Sequence, residues 1–513
     1  MRNISHLSRR QVLAGSAALA TLGMRPASAR DLAIEFDLPT AALDELRQSA
    51  GPRIYLPGDP GFGLKARVNN LRYFADLPRA VVVCPNAGAT VQTVNWLRSF
   101  DIPFQIKGGG HSYAGYSAGP DVVVFTQGMD QTEIFSHPDN PATTLLKVGA
   151  GAINYKVYDT LEENGLTLTH GRCPTVGIAG FVLGGGIGFD MRHLGLASDL
   201  LIETQIVLAN GTEVTASATQ NTDLFWALRG GAGGSFGVST SFTFETLDVS
   251  QMQIGVFNRT WRSTDQHFVA QFLHQMMALF QADDTRQLGT RLSVTFGTPP
   301  DNPSAPAGYA INLVGQWIGP PADLRALFDQ LDGDLPPVTV AVDYHGPYWI
   351  AQHLLEEPEE EMFYQERSTF IPTTPNEAAL HDALSTLQSR PDVHGTCDLR
   401  FFQTGGAVND MMAGNSAFVH RDSEWLPLIG FYWTGQDQTD PALLQQGHDW
   451  QDRFYMQIVD TFGGAGAYQN FPDPSLQDFA TAYFRGNLDR LRQVKAKYDP
   501  QNLFTFAQSV PPL

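Results

Sequence analysis

Apolar residues between positions 77 and 247 occur both as short unbroken runs and as helically spaced groups. Short unbroken runs are typical of buried strands, whereas recurrence at each helical turn indicates one face of a helix. Gly165 is a stop signal for one helix, and Asn210-Gly211 is a hairpin signal after one strand. The predicted strands are residues 80–84, 102–106 and 201–208, and the predicted helices are residues 89–99 and 154–164.

From residue 249 to residue 466, strands alternate with amphipathic stretches, which is typical of an α+β domain. The acidic run at residues 356–361 is predicted to be a solvated surface segment. The predicted strands are residues 290–296, 310–317, 399–403 and 428–434, and the predicted helices are residues 264–280, 324–331 and 376–388.

Residues 487–498 have the pattern of an amphipathic helix near the end of the chain. Leu488, Leu491 and Val494 fall on one face of it. The following Asp499-Pro500 pair is expected to end the helix, because proline cannot continue it.

The chain has 513 residues, of which 43% are apolar, and a formal net charge of −20. This length suffices for two sizeable domains with cores of their own. The acidic balance disfavours nucleic acid, whose phosphates it repels, and gives no attraction to an anionic membrane. Three cysteines do not form a disulfide framework. Cys84 and Cys397 are therefore predicted to be free thiols, with a bridge between them left open.

The first 29 residues have the pattern of an export signal. Residues 8–13 (Ser-Arg-Arg-Gln-Val-Leu) form a twin-arginine signature, and a weakly apolar run and Ala27-Ser28-Ala29 follow. The apolar run is too short to cross a bilayer. We therefore expect passage through the twin-arginine translocase, a periplasmic or secreted mature chain, and no stable membrane insertion. A chance Arg-Arg pair beside a membrane anchor is the alternative.

Two glycine-rich stretches carry the candidate chemistry. Residues 107–115 contain His111, and residues 171–188 contain Cys173. Glycines let backbone N–H groups approach a phosphate or planar ligand. Imidazole and thiol are nucleophiles that can bond an electrophilic cofactor ring. For either stretch alone, a simple loop or a buried structural cysteine is the alternative.

Other ligand classes lack their patterns in this sequence. No Gly-x-Gly-x-x-Gly follows a first strand with an acidic residue some twenty positions on, so we reject a nicotinamide site. There is no Gly-Lys-Ser/Thr of a P-loop, and no metal site is predicted.

Together and in this order, the two stretches resemble the flavin anchors of the berberine bridge enzyme-like oxidases of the vanillyl-alcohol-oxidase superfamily. Residues 223–238 resemble the family's helix and glycine loop beside FAD, and residues 483–504 resemble its C-terminal segment. The resemblance implies FAD bonded twice, at its 8α-methyl through His111 and at C6 through Cys173. It also implies FAD contacts from Gly108, Gly109, Gly110, Ser112, Gly115, Tyr116, Pro174, Thr175, Val176, Gly177, Gly180, Gly185, Gly186, Gly188, Phe236, Gly237, Val238, Asn470, Asn502 and Phe504.

The resemblance further implies an α+β fold in which a two-part, PCMH-type FAD-binding domain is closed by the C-terminal segment. A substrate domain with an antiparallel sheet flanked by helices is inserted into it. The expected boundaries are a signal at residues 1–29, the FAD-binding domain at 30–248, the substrate-binding domain at 249–466 and the C-terminal segment at 467–513.

Tyr468 matches the tyrosine of the family's Tyr-x-Asn motif and is the predicted catalytic base. A free tyrosine has a pKa of about 10, so neighbouring donors or positive charge must assist it near neutrality. A core tyrosine with a satisfied hydroxyl is the alternative. Gln403 and Tyr432 are predicted to face the substrate pocket from strands, and Asp398 is a candidate for orienting the tyrosine.

Two positions bear on reoxidation and cofactor contact. Val176 lies where the family places its oxygen gate, and valine there favours an oxidase over a dehydrogenase. Phe181 departs from the histidine that many members have, which alters one predicted contact with FAD. His420 matches a recurring family segment and is predicted to be structural.

The resemblance implies hydride transfer from a substrate carbon to FAD, proton loss to a base, and reoxidation by O₂ with release of H₂O₂. The expected small-molecule substrate is an alcohol, with carbohydrate or oligosaccharide hemiacetals first. A second hypothesis is oxidation or cyclisation of aromatic, polyketide or alkaloid-like molecules. A third is a flavin-loaded binding protein with vestigial activity. Substrate identity, stereochemistry and oligomeric state are left open.

Overall fold

The computed structural model describes residues 40–49, 51–283, 285–300, 302–333, 337–357 and 361–513. The predicted export signal lies outside the described residues. The unit formed by Glu45–Leu513 contains all of the described sheets. Among the described residues, none of the helices combines the length and the apolar character that a membrane crossing requires.

The first sheet consists of β1 (Arg53–Tyr55), β2 (Ala80–Val83), β3 (Phe104–Lys107) and β4 (Val122–Phe125). Its order is β1-β2-β4-β3, with β2, β4 and β3 parallel and β1 antiparallel at the edge. All four residues of β2 and of β4 are buried. Runs of β-branched valines favour such strands because their side chains pack on both covered faces.

The second sheet consists of β5 (Thr132–Ser136), β6 (Thr144–Gly149), β8 (Leu201–Val207), β9 (Glu213–Ser217) and β10 (Val238–Glu245). It is antiparallel, in the order β5-β6-β10-β8-β9. The strands β7 (Leu166–Thr167) and β11 (Leu247–Asp248) form a separate antiparallel pair. These sheets support the glycine-rich stretches at residues 107–115 and 171–188.

A third sheet of seven antiparallel strands follows, in the order β15-β12-β14-β13-β17-β18-β16. It is the antiparallel sheet expected for the middle of the chain. Its strands are β12 (Gln253–Ser263), β13 (Leu288–Gly297), β14 (Gly308–Trp317), β15 (Thr339–Pro347), β16 (Phe363–Ser368), β17 (Cys397–Gln403) and β18 (Trp425–Trp433).

Fifteen α-helices lie in the described residues. Four of them pack with the large sheet in one apolar core, through Met276, Phe328, Leu384 and Phe454 among others. The helices are α1 (Thr40–Gln48), α2 (Phe62–Ala66), α3 (Ala87–Ser99), α4 (Asn154–Glu163), α5 (Ile178–Leu183), α6 (Met191–Leu194), α7 (Thr222–Ala227), α8 (Gln266–Gln281), α9 (Pro321–Asp332), α10 (Tyr348–His353), α11 (Glu377–Gln388), α12 (Ala407–Asp410), α13 (Pro441–Phe462), α14 (Phe479–Phe484) and α15 (Leu488–Tyr498).

Each strand and helix predicted from periodicity has a counterpart at nearly the same bounds. The Asn210-Gly211 hairpin is confirmed by the antiparallel pairing of β8 and β9. The long helix α13 was not predicted, since Gly447 and polar residues interrupt its pattern. A Cβ at Gly447 would lie 2.0 Å from the ring of Phe431. This glycine therefore permits close packing and does not break the helix.

The helix α15 returns to the first half of the chain, as the apolar face of residues 487–498 predicts. Leu491 and Val494 are buried in the same core as residues of β6 and β8. Lys495 is fully buried on this helix, and its Nζ lies 2.7 Å from Asp499 Oδ2, 2.7 Å from Ser235 O and 2.6 Å from Phe504 O. One ammonium group thus joins the helix, the loop before β10 and the C-terminal segment after the helix.

We expect Lys495→Met to lower the free energy of unfolding by about 3–5 kcal/mol, because it leaves the buried Asp499 carboxylate and two carbonyl oxygens without their donor. Urea unfolding followed by tryptophan fluorescence measures the change. Lys497→Met is the matched control, since Lys497 is exposed and pairs with Asp223 at the surface. A shift no larger than that of the control would contradict a stabilising role for the buried ammonium.

Candidate active site

A cavity of about 350 Å³ lies between the two small sheets and the large sheet. The glycine-rich loops, residues 232–239 and residues 504–508 contribute to one side of it. Thr290, Arg291, Phe402 and Gln403 contribute from the large sheet. The cavity therefore has one wall from each half of the fold.

Backbone contact between the two glycine-rich loops determines the geometry of this cavity. The first loop follows β3, and the second runs into α5. A Cβ on Gly109 would lie 2.3 Å from the backbone nitrogen of Gly177, and the reverse substitution would make an equally short contact with Gly109 N. Only glycine permits this approach. It brings His111 and Cys173, which are 62 positions apart in sequence, to one side of the cavity.

Thr175 connects the two predicted attachment residues. Its Oγ1 lies 2.9 Å from His111 Nε2 and 3.4 Å from Cys173 Sγ. The turn that contains Cys173 is itself held by Asn154, whose Nδ2 donates to Cys173 O at 3.0 Å. Both side chains line the cavity, so the structure places an imidazole and a thiol where one ligand can reach both.

Burial and the nearby Lys107 ammonium lower the pKa of His111 to about 4. The imidazole is therefore neutral at physiological pH and keeps a nitrogen lone pair available for bonding. Burial, with Lys65 adding to it, also lowers the pKa of Lys107 to about 8. Lys107 Nζ donates to the carbonyl oxygens of Lys65 and Arg67.

Open space and unsatisfied polar atoms show that a large polar ligand fits this cavity. Cβ atoms at Gly108, Gly180 and Gly233 would meet nothing closer than 3.7 Å, although all three line the cavity. Several lining residues also have a buried polar atom without a hydrogen-bond partner among the described residues. These atoms are Gln105 Oε1, Ser117 Oγ, Ser239 Oγ and Gln469 Oε1. A dinucleotide cofactor with a planar ring would occupy such space and pair with such atoms.

Tyr468 lies in the cavity with its hydroxyl oxygen held by two donors. Gly186 N–H donates to it at 3.0 Å and Asn470 Nδ2 at 3.2 Å. Burial raises the pKa of Tyr468 to about 12, although the two donors act in the opposite direction. The donors that the sequence argument requires are therefore present, but they do not overcome the effect of burial.

Gln403 lines the cavity, whereas Tyr432 does not. Thr290 Oγ1 donates to Gln403 Oε1 at 3.0 Å, and Gln403 Nε2 donates to Phe280 O. The Tyr432 hydroxyl is held by Glu366 and Arg400 on neighbouring strands. The structure therefore places the Tyr432 hydroxyl in this charged network and not among the residues that line the cavity.

Two other predictions concern polar residues near the pocket. Asp398 Oδ2 accepts from Arg400 Nε at 2.7 Å, and the described hydrogen bonds of Tyr468 do not include Asp398, so its predicted orienting role is not supported. His420 is fully buried, stacks on Phe370 with ring centroids 4.2 Å apart, and contacts Tyr483 O. The burial and stacking of His420 support the predicted structural role.

Most predicted cofactor residues line the cavity. Those that do are Gly108, Gly109, Gly110, His111, Ser112, Tyr116, Cys173, Val176, Gly177, Gly180, Gly188, Gly237, Val238, Asn470 and Phe504. The other predicted cofactor residues are not part of the cavity lining, and their contact with FAD stays a prediction: Gly115, Pro174, Thr175, Gly185, Gly186, Phe236 and Asn502. Gly186 and Thr175 act through the hydrogen bonds to Tyr468 and His111 described above.

The acidic run at residues 356–361 is not simply solvated surface. Glu356 is exposed, but Glu357 lines the cavity and pairs with Arg291. Residues 358–360 lie outside the described residues. Arg172, Arg291 and Glu357 are cavity residues that no sequence motif indicated, although Arg172 directly precedes Cys173. All three cysteines are free thiols, and Cys84 and Cys397 are both buried.

Comparisons with known proteins agree with this geometry. Residues 78–217 match the FAD binding domain family, and residues 467–511 match the berberine and berberine-like family. FAD-linked oxidoreductase YgaK of Bacillus subtilis is 30% identical over 468 residues, which cover 90% of this chain and 97% of that protein. Glucooligosaccharide oxidase of Sarocladium strictum is 28% identical over 479 residues, which cover 88% of this chain and 91% of that enzyme.

The fold also matches a solved structure. Glucooligosaccharide oxidase from Acremonium strictum, described with 6-S-cysteinyl, 8α-N1-histidyl FAD, superposes with a TM-score of 0.80. The match is 23% identical and covers 92% of this chain and 99% of that enzyme.

Proposed function

Because the chain belongs to the berberine bridge enzyme-like family of FAD-linked oxidoreductases, we propose that it is an oxidase of carbohydrate alcohols. FAD is its cofactor, and when bound it accepts a hydride from the substrate carbon and passes the electrons to O₂. One observation carries the proposal: Tyr468, His111 and Cys173 line the same cavity. A base and two attachment residues are thus within reach of one substrate and one cofactor.

We propose that His111 and Cys173 both bond the cofactor. The neutral imidazole and the free thiol are nucleophiles, and Thr175 Oγ1 contacts both. Attachment at two points would restrict rotation of the ring while leaving the opposite wall of the cavity open to substrate. The similarity to a doubly attached relative supports this assignment.

Tyr468 is the residue proposed to accept the hydroxyl proton of the substrate. Gly186 N–H and Asn470 Nδ2 both donate to its oxygen, and donation to the charged form stabilises a phenolate. The substrate hydroxyl would bind within hydrogen-bond distance of this oxygen. The proton would then leave the hydroxyl oxygen, and the hydride would leave the carbon bonded to it.

Aromatic rings on the cavity wall support a sugar as substrate. Tyr113 and Phe471 stack with centroids 4.9 Å apart, and Phe402 lies 5.8 Å from Phe471. Flat apolar surface flanked by Gln403 and Gln469 suits the apolar faces and hydroxyl edges of a sugar ring. The relative that oxidises glucooligosaccharides points to the same substrate class.

A peroxide-coupled assay of the FAD-loaded protein tests the proposal. The panel contains glucose, cellobiose, maltose and xylobiose, with benzyl and coniferyl alcohols as the aromatic arm. Peroxide release with at least one sugar supports a carbohydrate oxidase. Peroxide release with the aromatic alcohols alone would overturn it. So would the absence of peroxide release with every substrate, when the protein contains its full complement of FAD.

Val176 gives a separate test of oxidase character, because it lines the cavity three residues after Cys173. We expect Val176→Leu to slow reoxidation by O₂ by about tenfold or more, since the extra methylene fills space through which O₂ reaches the ring. Turnover with a dye acceptor should change little. Stopped-flow reoxidation of the reduced enzyme measures the first quantity. Equal loss with O₂ and with dye would show that the residue does not govern oxygen access.

The twin-arginine signature supports export of the folded protein to the periplasm or medium. Arg9→Lys together with Arg10→Lys is expected to retain the protein in the cytoplasm. Fractionation and immunoblotting measure its location, and unchanged export of the double variant would contradict the proposal.

A further inference from the structure

The cavity wall next to Cys173 contains a guanidinium group that no described residue holds by a hydrogen bond or an ion pair, although Glu357 lies within electrostatic range of it. Arg172 Nη1 is buried and has no hydrogen-bond partner among the described residues, and Arg172 forms no ion pair with any of them. Its guanidinium lies over the ring of Phe189, 4.4 Å from the centroid. Both side chains line the cavity. The aromatic ring therefore positions the cation without neutralising it.

A second arginine faces the same space from the large sheet. Arg291 lies on β13, next to Thr290, which binds Gln403. Its Nη1 pairs with Glu357, but its Nε is buried and has no partner among the described residues. The charges of the two guanidinium groups interact, since each arginine is within electrostatic range of the other.

The described charges in this part of the cavity do not balance. Arg172 and Arg291 are both cationic, and Glu357 is the carboxylate that lines the cavity with them. Burial lowers the pKa of Arg172 to about 10, so the side chain stays protonated at neutral pH. Burial raises the pKa of Glu357, but Arg291, Arg172 and Arg400 outweigh burial and hold it below its usual value. Nearby Glu356 is exposed and is engaged by His353.

A buried, unpaired guanidinium is costly unless a ligand supplies the missing acceptor. A carboxylate matches its geometry, because two parallel N–H donors can bind two oxygens. The FAD diphosphate is a less suitable anion, since Arg172 lies on the second glycine loop beside Cys173 and Arg291 lies on β13 of the large sheet, so an anion that binds both lies between the two walls. The unsatisfied hydroxyls of Ser117 and Ser239 lie on the opposite side, near the glycine loops.

We propose that Arg172 and Arg291 bind a carboxylate on the substrate, so that the enzyme selects acidic alcohols, with sugars bearing a uronate group as the leading case. This proposal rests on the cavity being the substrate site, and it specifies the substrate class within it. Glu357 orients Arg291 through their ion pair and also repels a second carboxylate. The wall thus accepts one negative charge in a protein whose overall charge is strongly negative.

Matched pairs of alcohols test the proposal in the FAD-loaded wild-type enzyme. The pairs are cellobiose with cellobiouronic acid, glucose with glucuronic acid, and benzyl alcohol with 4-(hydroxymethyl)benzoate. We expect kcat/KM for the acidic member of at least one pair to exceed that of its neutral partner by about tenfold or more, because one hydrogen bond to a charged group contributes at least this factor to binding. The preference should decrease as ionic strength rises. Equal or lower values for every acidic member would overturn the proposal.

Two variants with opposite expected effects separate recognition from stability. Arg172→Met should bring the acidic-to-neutral ratio of kcat/KM close to one, and Glu357→Gln should raise the ratio. Arg98→Gln, an exposed arginine that bonds Asn95 outside the cavity, is the control and should leave the ratio unchanged. Identical ratios in wild type and both cavity variants would overturn the proposal. So would loss of bound FAD in Arg172→Met with the ratio preserved, because the anion would then be that of the cofactor.

Failure of the carbohydrate assignment remains distinguishable from failure of this inference. If no sugar is oxidised, the aromatic pair still compares an acid with a neutral alcohol. If nothing is oxidised, titration of the holoenzyme with each pair reports binding through the visible absorption of the flavin. Tighter binding of the acids supports the inference, and equal affinities overturn it.

Discussion

Tyr468→Phe is expected to lower kcat by about 10²–10⁴-fold, the usual contribution of a positioned base. The change removes only the oxygen that accepts from Gly186 and Asn470. The phenyl ring keeps its edge contact with Phe471, whose centroid lies 5.0 Å away. FAD content and melting temperature should therefore change little. Steady-state peroxide release, normalised to bound flavin, measures the loss.

Tyr309→Phe is the matched control for this variant. Tyr309 is another buried tyrosine with a bonded hydroxyl, but it lies on β14 and does not line the cavity. Its loss should leave kcat within about twofold of wild type, since no reacting atom contacts it. A comparable decrease in both variants would show that Tyr468 acts through folding and not as a base.

The pH profile provides a second measure of the same residue. Burial raises the pKa of Tyr468 to about 12, so the phenolate is the minor form throughout the neutral range. Below that pKa its fraction rises tenfold for each pH unit, and kcat/KM should rise with it between pH 7 and pH 10. Tyr468→Phe should remove this dependence. A wild-type profile that is flat over the same range would contradict proton acceptance by Tyr468.

The combination of His111→Ala and Cys173→Ala should convert permanently attached flavin into fully extractable flavin. Each single variant keeps one bond, so its protein pellet should stay yellow after acid precipitation. The double variant should release essentially all of its flavin into the supernatant, because the remaining contacts are lost on unfolding. Absorbance of pellet and supernatant measures the partition.

Cys397→Ala is the matched control for thiol loss, since Cys397 is buried on β17 and does not line the cavity. It should retain the flavin as the wild type does. Release of all flavin from the wild type on acid treatment would remove the attachment proposal. Release from only one of the two single variants would reduce the number of bonds to one.

Local pattern was sufficient for much of the fold. Valine runs predict β2 because burial on both faces requires continuous apolar sequence, and the Asn210-Gly211 pair predicts its hairpin because the turn needs positive φ. The helix α13 was not predicted because Gly447 interrupts its pattern. That glycine makes room for the ring of Phe431, which is 16 residues away in sequence. Long-range packing is not visible in local periodicity.

In the candidate site, too, residues in local motifs could be predicted, and residues brought together by the fold could not. His111, Cys173 and Tyr468 were found because each stands in a motif that the chain carries intact. The bonds from Tyr432 to Glu366 and Arg400 could not be predicted, because alternation along a strand does not tell which side chains of neighbouring strands it will meet. Arg172 and Glu357 were missed because they come together only when β13 and the segment after α10 meet the second glycine loop. The spacing of these residues along the sequence does not indicate that they lie close together in the fold.

The hydrogen bonds of Lys495 to Ser235, Asp499 and Phe504 bear on when the folding chain can bind its cofactor. Phe504, Phe506 and Gln508 line the cavity, and their segment is fastened through the Lys495 ammonium and the bond from Val510 N–H to Ser235 Oγ. A nascent chain still threaded through the ribosome at residue 500 therefore has an open-sided pocket, however well its sheets have formed. We therefore expect full capture of the cofactor to follow synthesis of this segment, an order compatible with the proposed export of the folded protein.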